Sequence, residues 1–301
     1  MTPKEFKKVS VILPNYNYAK YFSKRVDGIL AQTYPIYELI ILDDASTDSS
    51  LTVMKEKLLK LSNAYPDLKI KAKVNKENSG SVFRQWLKGI ELAEGDYIWI
   101  CELDDEVKPN FLETAMNGFK NPKTILSYTN SKIINDKNRP DLKSALRKPL
   151  NFVREDRPAR DYTRDGREEL SRALSVYNTI PNVSAVVFKK DPNIDFKKIL
   201  NAASKFQVAG DWYFYSELLL NGRIAYFKKP LNIHRVHKSS VTEKTKKERL
   251  FQEIQFMHQK IKSDVKLSPN AKNKIKAQEK RLRKAWKIPE EISVETPDTM
   301  V

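Results

Sequence analysis

The sequence predicts an α/β protein built on a mostly parallel sheet. Three observations point there. Short apolar runs alternate with amphipathic stretches through roughly the first 130 residues. Most of those runs are apolar at consecutive positions, as strands buried on both faces must be. Each ends at polar or acidic residues, and in such sheets ligands bind beyond the carboxyl ends of the strands.

The elements follow in order. "VSVIL" (9–13) reads as a strand ended by Pro14, and "YFSKRVDGILAQ" (21–32) as a helix with Phe22, Val26, Ile29 and Leu30 at helical spacing. "ELIILDD" (38–44) is a buried strand ending in two carboxylates. "STDSSLTVMKEKLLKL" (46–61) opens with capping residues, Ser46 as N-cap and Asp48 at the positive end of the helix dipole. "LKIKAKV" (68–74) alternates as a strand, "GSVFRQWLKGIELAEG" (80–95) is a helix closed by Gly95, and "YIWIC" (97–101) is the fourth strand.

Residues 139–172 are Arg-rich with few apolar positions and read as an irregular or mobile excursion. A strand at 183–188, a helix at 211–222 and a strand at 223–227 follow, then a polar loop at 231–242 with two of the three histidines. Beyond 244 the pattern is two basic helices. Leu250, Ile254, Met257 and Ile261 form one stripe, and Ser268-Pro269 restarts the second helix with Ile275, Leu282 and Trp286. The expected organisation is a first half at about 1–130, a second half at about 131–243, and a basic helical extension at 244–301.

The formal charge is +17. Residues 241–290 hold 15 Lys/Arg against 6 Asp/Glu, a net of +9, so this segment carries over half of the excess. Such charge implies an anionic partner: nucleic acid, a membrane surface or phosphorylated small molecules. No run approaches the ~20 apolar residues of a membrane span. The stretch "MTPKEFKKVS" lacks the apolar core of a secretory signal. A single cysteine, Cys101, within an apolar strand fits a reducing cytoplasmic home.

The chemistry concentrates at the strand ends. Pro14-Asn15-Tyr16-Asn17 follows the first strand, Asp43 and Asp44 the second, Asn75 and Asn78 to Ser81 the third. "WICELDDEVKPNF" (99–111) sets Glu102, Asp104, Asp105 and Glu106 after the fourth. Adjacent carboxylates repel one another, and a hard divalent cation, Mg²⁺ or Mn²⁺, would relieve that repulsion and neutralise a diphosphate. The plainer alternative is a solvated acidic turn before a helix.

Five ordered pieces, "VSVILPNYN" (9–17), "QTYPIYELIILDDASTD" (32–48), "NKENSG" (75–80), "GIELAEGDYIWICELDD" (89–105) and "AGDWYF" (209–214), resemble the successive motifs of the family 2 glycosyltransferases. The resemblance covers roughly residues 8–243. It implies the GT-A fold, a Rossmann-like sheet flanked by helices, here with a C-terminal helical extension. The implied enzyme is an inverting, metal-dependent glycosyltransferase that uses a nucleotide-sugar donor, UDP-linked in preference to dTDP-linked. The implied acceptor is a glycan or lipid-linked hydroxyl in bacterial surface polysaccharide synthesis, such as capsule or lipopolysaccharide.

The resemblance also implies site roles. Pro14, Tyr16 and Asn17 enclose the base, and Asp44 contacts it. Asn78 and Gly80 pass close to the nucleoside, and Arg84 falls where many members have a basic or polar group. Asp104 approaches the ribose and Asp105 binds the ion, although Glu102 stands where the family's first aspartate is usual. Asp211 is the general base that deprotonates the acceptor hydroxyl; capping of its own helix is the plainer role. In "HRVHKSSVT" (234–242), His237 is preferred over His234 near the ion or diphosphate, followed by Ser240. Trp212 and Tyr213 are candidate acceptor-cleft aromatics, although their spacing also suits a core.

The basic helices have three readings: docking on an anionic inner membrane face, pairing with a partner or a second copy to make a homo-oligomer, or covering the catalytic domain. Phe251, Phe256 and Trp286 beside the lysines favour the first. Two other functions compete. A nucleotidyltransferase would carry a Gly-rich basic loop after the first strand, which "PNYNYAK" is not. A non-enzymatic nucleic-acid-binding protein has the charge but no recognisable motif, and the acidic rim opposes it.

Overall fold

The computed structural model describes residues 6–141, 159–180, 182–237 and 241–290, with backbone only at 242 and 243. The first half runs β1 Val9–Asn15, α1 Ala19–Leu30, β2 Glu38–Asp43, α2 Ser50–Ala64, β3 Lys69–Val74, α3 Val82–Leu92 and β4 Tyr97–Ile100. β5 Glu106–Val107, α4 Phe111–Asn117, β6 Thr124–Asn135, β7 Tyr162–Asp165 and a short α5 Gly166–Glu169 follow. Then come β8 Val186–Lys189, α6 Phe196–Ala203, α7 Gly210–Leu219, β9 Arg223–Val236, α8 Val241–Lys244, α9 Lys247–Asp264 and α10 Pro269–Trp286.

Among the described residues the strands form one sheet in the order β3-β2-β1-β4-β8-β6-β9-β5, with β7 beside β9. β3, β2, β1 and β4 are parallel, as their helical crossovers require. β8 runs antiparallel to β4 and β6, while β6 and β9 are parallel. Ile12 of β1 pairs with both Ile40 and Ile100, so β1, β2 and β4 end along one edge.

Alternation along each strand divides the core. Val9, Val11, Leu13, Leu39, Ile41, Tyr97 and Trp99 pack with α1, α2 and α4. Ile12, Ile40, Leu42, Ile98 and Ile100 pack with α3, α6, α7 and α9 on the opposite face. Fully burying one such side chain contributes about 1.5–3 kcal/mol.

Several sequence expectations are corrected. The capping residue of 46–61 is not Ser46: α2 begins at Ser50, whose N–H donates to Asp48 (2.8 Å), while the Ser46 hydroxyl accepts from the Asn17 N–H (2.9 Å). The polar stretch after 227 is not a loop; β9 continues to Val236 because β6 offers it a partner over the whole length. Within 139–172, residues 142–158 lie outside the described residues, and the remainder holds β7, α5 and a π-helical turn at Leu170–Leu174.

The two basic helices form as the stripes predict. Ser268 caps α10 by accepting from Ala271 N–H (3.2 Å), with Pro269 at the start. The stripe Leu250, Ile254, Met257 and Ile261 is fully buried in the same cluster as α3 and α7. Phe251 is also fully buried, and Phe256 packs edge-on to Phe206 at 5.4 Å. Trp286 is partly buried against that cluster. Phe251 therefore faces protein, which corrects its reading as a membrane anchor, while Phe256 and Trp286 are only partly buried.

Candidate active site

The rim at β1 and β2 is built from short polar bridges. Asn15 Nδ2 donates to Asp43 Oδ2 (2.6 Å), and Asp43 Oδ1 accepts from Ser46 N–H (2.9 Å). Asp43 is thus a buried turn-former. Asp44, 5% exposed, is the hub of the adjoining loop. Its Oδ1 accepts from Asn75 Nδ2 (2.5 Å), Ser79 N–H (2.9 Å) and Gln85 Nε2 (2.8 Å), and its Oδ2 from the Ser79 hydroxyl (2.8 Å). Asn78 Nδ2 reaches the Asp44 carbonyl (3.1 Å), and Asn78 Oδ1 accepts from Gly80 N–H (2.7 Å). Gly80 adopts φ +75° with open space around its missing Cβ, so glycine is required there by backbone rather than by crowding. Arg84 is exposed and donates to Ser79 O (2.8 Å).

Pro14 is buried within β1, and Tyr16 is 45% exposed at the strand's mouth. Asn17 has φ +59°, and its side chain accepts from Thr47 N–H (2.7 Å) and Asp48 N–H (3.2 Å). Asn17 therefore ties the first rim loop to the second.

The acidic centre follows β4. Glu102 N–H donates to Ser184 Oγ (3.0 Å), yet no described residue donates to the Glu102 carboxylate. Asp104 Oδ2 faces His237 Nε2 at 2.9 Å, and Tyr18 Oη lies 3.5 Å from the same nitrogen. Asp105 is 2% exposed. Its Oδ1 faces His234 Nδ1 (3.2 Å) and accepts from Arg235 N–H (2.9 Å), while its Oδ2 accepts from Asn182 Nδ2. Both Asp105 oxygens accept from protein, and an Asp105 oxygen also lies within the acidic group with Glu102 and Asp104. His234, placed second to His237 from sequence, is equally part of the centre because β9 carries it there. Ser240 lies outside the described residues.

Asp211 sits in the first turn of α7. Its Oδ2 accepts from Asn178 Nδ2 (3.1 Å) and its Oδ1 from Trp212 N–H (2.6 Å). The segment leading into α7 is held by Glu253 of α9, whose fully buried carboxylate accepts from Gln207, Val208 and Ala209 N–H at 2.8, 2.9 and 2.9 Å. Trp212 is fully buried and donates to Leu174 O (2.8 Å). Tyr213 packs on Phe206 (5.5 Å) and beneath Lys260 (5.1 Å). Trp212 therefore serves the core, which corrects its assignment to the acceptor cleft, while Tyr213 is only partly buried.

Burial, followed by the charges of Asp105, Asp104 and Asp211, raises the Glu102 carboxyl well above the ordinary range. Asn178, which donates to Asp211, and Asn182, which donates to Asp105, tie Asp211 to the acidic centre through one short segment. Burial alone would raise Asp105 too, but His234, Arg25 and the Arg235 N–H outweigh it and hold Asp105 low. The hydrogen bond to Asp104 raises His237. Tyr18, burial-raised and further raised by Asp104 and Glu102, was missed from sequence, as were Asn178, Asn182 and Glu253. Arg25 had a legible signal: a charged residue on the apolar stripe of Phe22, Val26 and Ile29.

Oxygens of Glu102, Asp104 and Asp105 all lie within 4.8 Å of one another. An all-carboxylate donor set, one member lacking any described protein donor, fits a hard divalent ion. Among the described residues no helix is long and apolar enough to cross a membrane.

The profile described as "Glycosyl transferase family 2" matches residues 10–175. The glycosyltransferase GlyG of Streptococcus pneumoniae is 37% identical over 106 residues, 35% of this chain and 33% of that protein. TuaG of Bacillus subtilis, a glycosyltransferase named for teichuronic acid biosynthesis, is 32% identical over 123 residues, 40% of this chain and 45% of that protein. The matches thus span less than half the length of these curated relatives. The crystal structure of Staphylococcus aureus TarS 1–349 in complex with UDP-GlcNAc superposes with a TM-score of 0.59 at 18% identity, covering 93% of this chain and 73% of that one. At that identity the likeness shows the shared GT-A fold.

Proposed function

The chain belongs to glycosyl transferase family 2, and from that premise we propose that it moves a sugar, with inversion, from a nucleoside-diphosphate sugar to a hydroxyl group of a glycan or lipid-linked acceptor. One observation carries the reading: Asn178 and Asn182, four residues apart, donate to Asp211 Oδ2 (3.1 Å) and to Asp105 Oδ2, so one short segment spans the candidate base and the acidic centre. A base and a diphosphate site have to be neighbours for this reaction.

In the proposed mechanism Tyr16 offers its exposed ring to the base and Asp44, oriented by Ser79, Asn75 and Gln85, contacts it. Pro14, Asn17, Asn78, Gly80 and Arg84 shape the same nucleoside pocket. Glu102, Asp104 and Asp105 would hold Mn²⁺ or Mg²⁺, with Asp105 as the principal ligand and His237 steadying Asp104 beside the ion. A bound ion would supply charge neutralisation to the leaving diphosphate. Asp211 accepts the proton of the acceptor hydroxyl, and Asn178 fixes the direction of its carboxylate. The oxygen then attacks the anomeric carbon opposite the departing nucleotide, through a transition state of oxocarbenium character.

A UDP-sugar is the preferred donor, consistent with the UDP-GlcNAc held by TarS, and a dTDP-sugar is the second choice. A surface polysaccharide acceptor accords with the teichuronic acid role for which TuaG is named. The catalytic unit is assigned to 1–243, with 244–301 as a helical extension. A cytoplasmic enzyme working beside the inner membrane face would use the exposed Lys272, Lys276, Lys280 and Lys284 of α10.

The test is a melting panel of UDP-, dTDP- and GDP-sugars with and without Mn²⁺. A donor should raise Tm only with the ion present, and Asp211→Asn should keep that shift while losing nucleoside diphosphate release. Absence of any donor-dependent shift sinks the reading.

A further inference from the structure

Asp211 and Asn178 belong to two separate segments, and one helix of the basic extension holds both. The first arm is Glu253 of α9. Ala209, the N-cap of α7, has no side-chain cap of its own. Glu253 supplies the acceptor from a remote helix: Oε1 takes Gln207 N–H (2.8 Å), and Oε2 takes Val208 and Ala209 N–H (2.9 Å each). Arg249, one turn earlier on α9, pairs with Oε1 at 2.8 Å. A carboxylate with 0% exposure is costly to desolvate, and here backbone donors and a guanidinium answer it.

The second arm is His258, further along the same helix and 3% exposed. Its Nε2 lies 3.2 Å from Val176 O, and its Nδ1 lies 2.6 Å from Glu279 Oε1 of α10. A carbonyl only accepts, so Nε2 carries the hydrogen of the first contact. Val176 stands two residues before Asn178. Asn178 Oδ1 accepts from Ile180 N–H (3.2 Å), which turns Nδ2 toward Asp211 Oδ2 (3.1 Å). The turn between α9 and α10 grips the same segment: the Ser171 hydroxyl donates to Lys266 O (2.7 Å), and Ser268 N–H donates to Ser171 O (3.1 Å). Trp212 joins the two arms, meeting the His258 ring edge-on at 6.0 Å and donating to Leu174 O (2.8 Å).

We propose that Glu253 and His258 are positioning residues for Asp211: α9 clamps both the segment that carries the candidate base and the segment that aims it, so the C-terminal helices complete the catalytic unit. An apolar seam alone would fix α9 loosely, whereas directional bonds on either side of a carboxylate fix its orientation. A general base works only when it points within hydrogen-bond reach of the proton it takes. This rests on the reading of Asp211 as the base, so the experiment separates the two.

The full-length chain is compared with Glu253→Gln, His258→Met and His258→Gln. Glutamine at 253 turns an amide donor onto backbone donors. Glutamine at 258 keeps a donor near the place of Nε2, and methionine has none. The first arm needs no donor sugar: amide hydrogen exchange at 210–213 should run several-fold faster in Glu253→Gln and His258→Met than in the parent, and near the parental rate in His258→Gln. The second reads nucleoside diphosphate release with Mn²⁺ and the donor that the melting panel identifies. Glu253→Gln and His258→Met should lower kcat roughly 10–100-fold, the scale of a slightly misplaced catalytic group. The donor KM should stay within about twofold, and His258→Gln should recover most of kcat. In an Asp211→Asn background neither loss should appear, because no base remains to be aimed. Unchanged exchange, losses that multiply onto Asp211→Asn, or His258→Gln no better than His258→Met overturns the proposal. Should Glu253→Gln not fold, the two His258 variants decide alone. Full turnover by Asp211→Asn sinks the base reading and the proposal with it; loss in Asp211→Asn with none in the clamp variants sinks the proposal alone.

Discussion

Glu38 opens β2 and Glu102 follows β4, so one sheet presents a low-exposure glutamate at each of its two edges. At the first edge Glu38 accepts from the Ser10 hydroxyl (2.6 Å) and Glu94 N–H (2.6 Å) and pairs with Lys71 (2.8 Å). Burial works against its charge, but those partners prevail and its carboxyl sits below the usual value. At the second edge Glu102 has like-charged neighbours, and its carboxyl is pushed the other way. The difference teaches where the fold resolves its own electrostatics and where it leaves them to a ligand. A carboxylate given its own lysine is structural. A carboxylate raised by its neighbours and given no donor of its own, as Glu102 is, marks a place for something to bind.

The sharpest way to break this contrast is to neutralise each edge in turn. At the site edge, Asp211→Asn should lower turnover by roughly 10²–10⁴-fold, the usual scale for a lost general base. Its melting temperature should stay within a few degrees of the parent's. A chain that loses stability but keeps nucleoside diphosphate release would place Asp211 among the structural carboxylates. At the other edge, Glu38→Gln should cost about 1–3 kcal/mol, the scale of a lost charged hydrogen bond, read from urea unfolding. Donor-induced melting shifts should persist in that variant.

Glu102→Gln should instead leave the metal-free chain equally or slightly more stable, by up to ~1 kcal/mol, since it removes repulsion and breaks no described bond to its carboxylate. Marked destabilisation would erase the distinction between the edges. The smallest effects are in pH. The depressed Glu38 carboxyl gives stability that is full above the ordinary 4.5 and is lost as pH falls through its lower folded value. The raised His237 contributes stability that is full below the ordinary 6.5 and is lost as pH rises through its higher folded value. Removing His237 with His237→Ala should flatten the alkaline limb of a stability–pH curve and leave the acid limb unchanged.

Legibility in sequence followed the range of the interaction. The strand–helix alternation, the buried stripe of α9 and the Ser268-Pro269 start were readable because periodicity and capping act over a few residues. The same local logic misplaced the start of α2, since Ser46 found its partners on β1 and in the following loop rather than in its own helix. It also broke β9 at 227, because a polar stretch can stay extended when β6 lies alongside to pair with it.

By itself the sequence determined the order of α/β units, the polar strand ends and the family motifs that hold Asp44, Asp104, Asp105 and Asp211. Only tertiary structure decided the partners: His234 on Asp105, Asn178 on Asp211, and Glu253 on the backbone before α7. It also turned Trp212 into the core and engaged both Asp105 oxygens. The reason is physical. Side-chain type and spacing are properties of the chain, whereas burial and charge compensation depend on distances that exist only once remote segments have packed together.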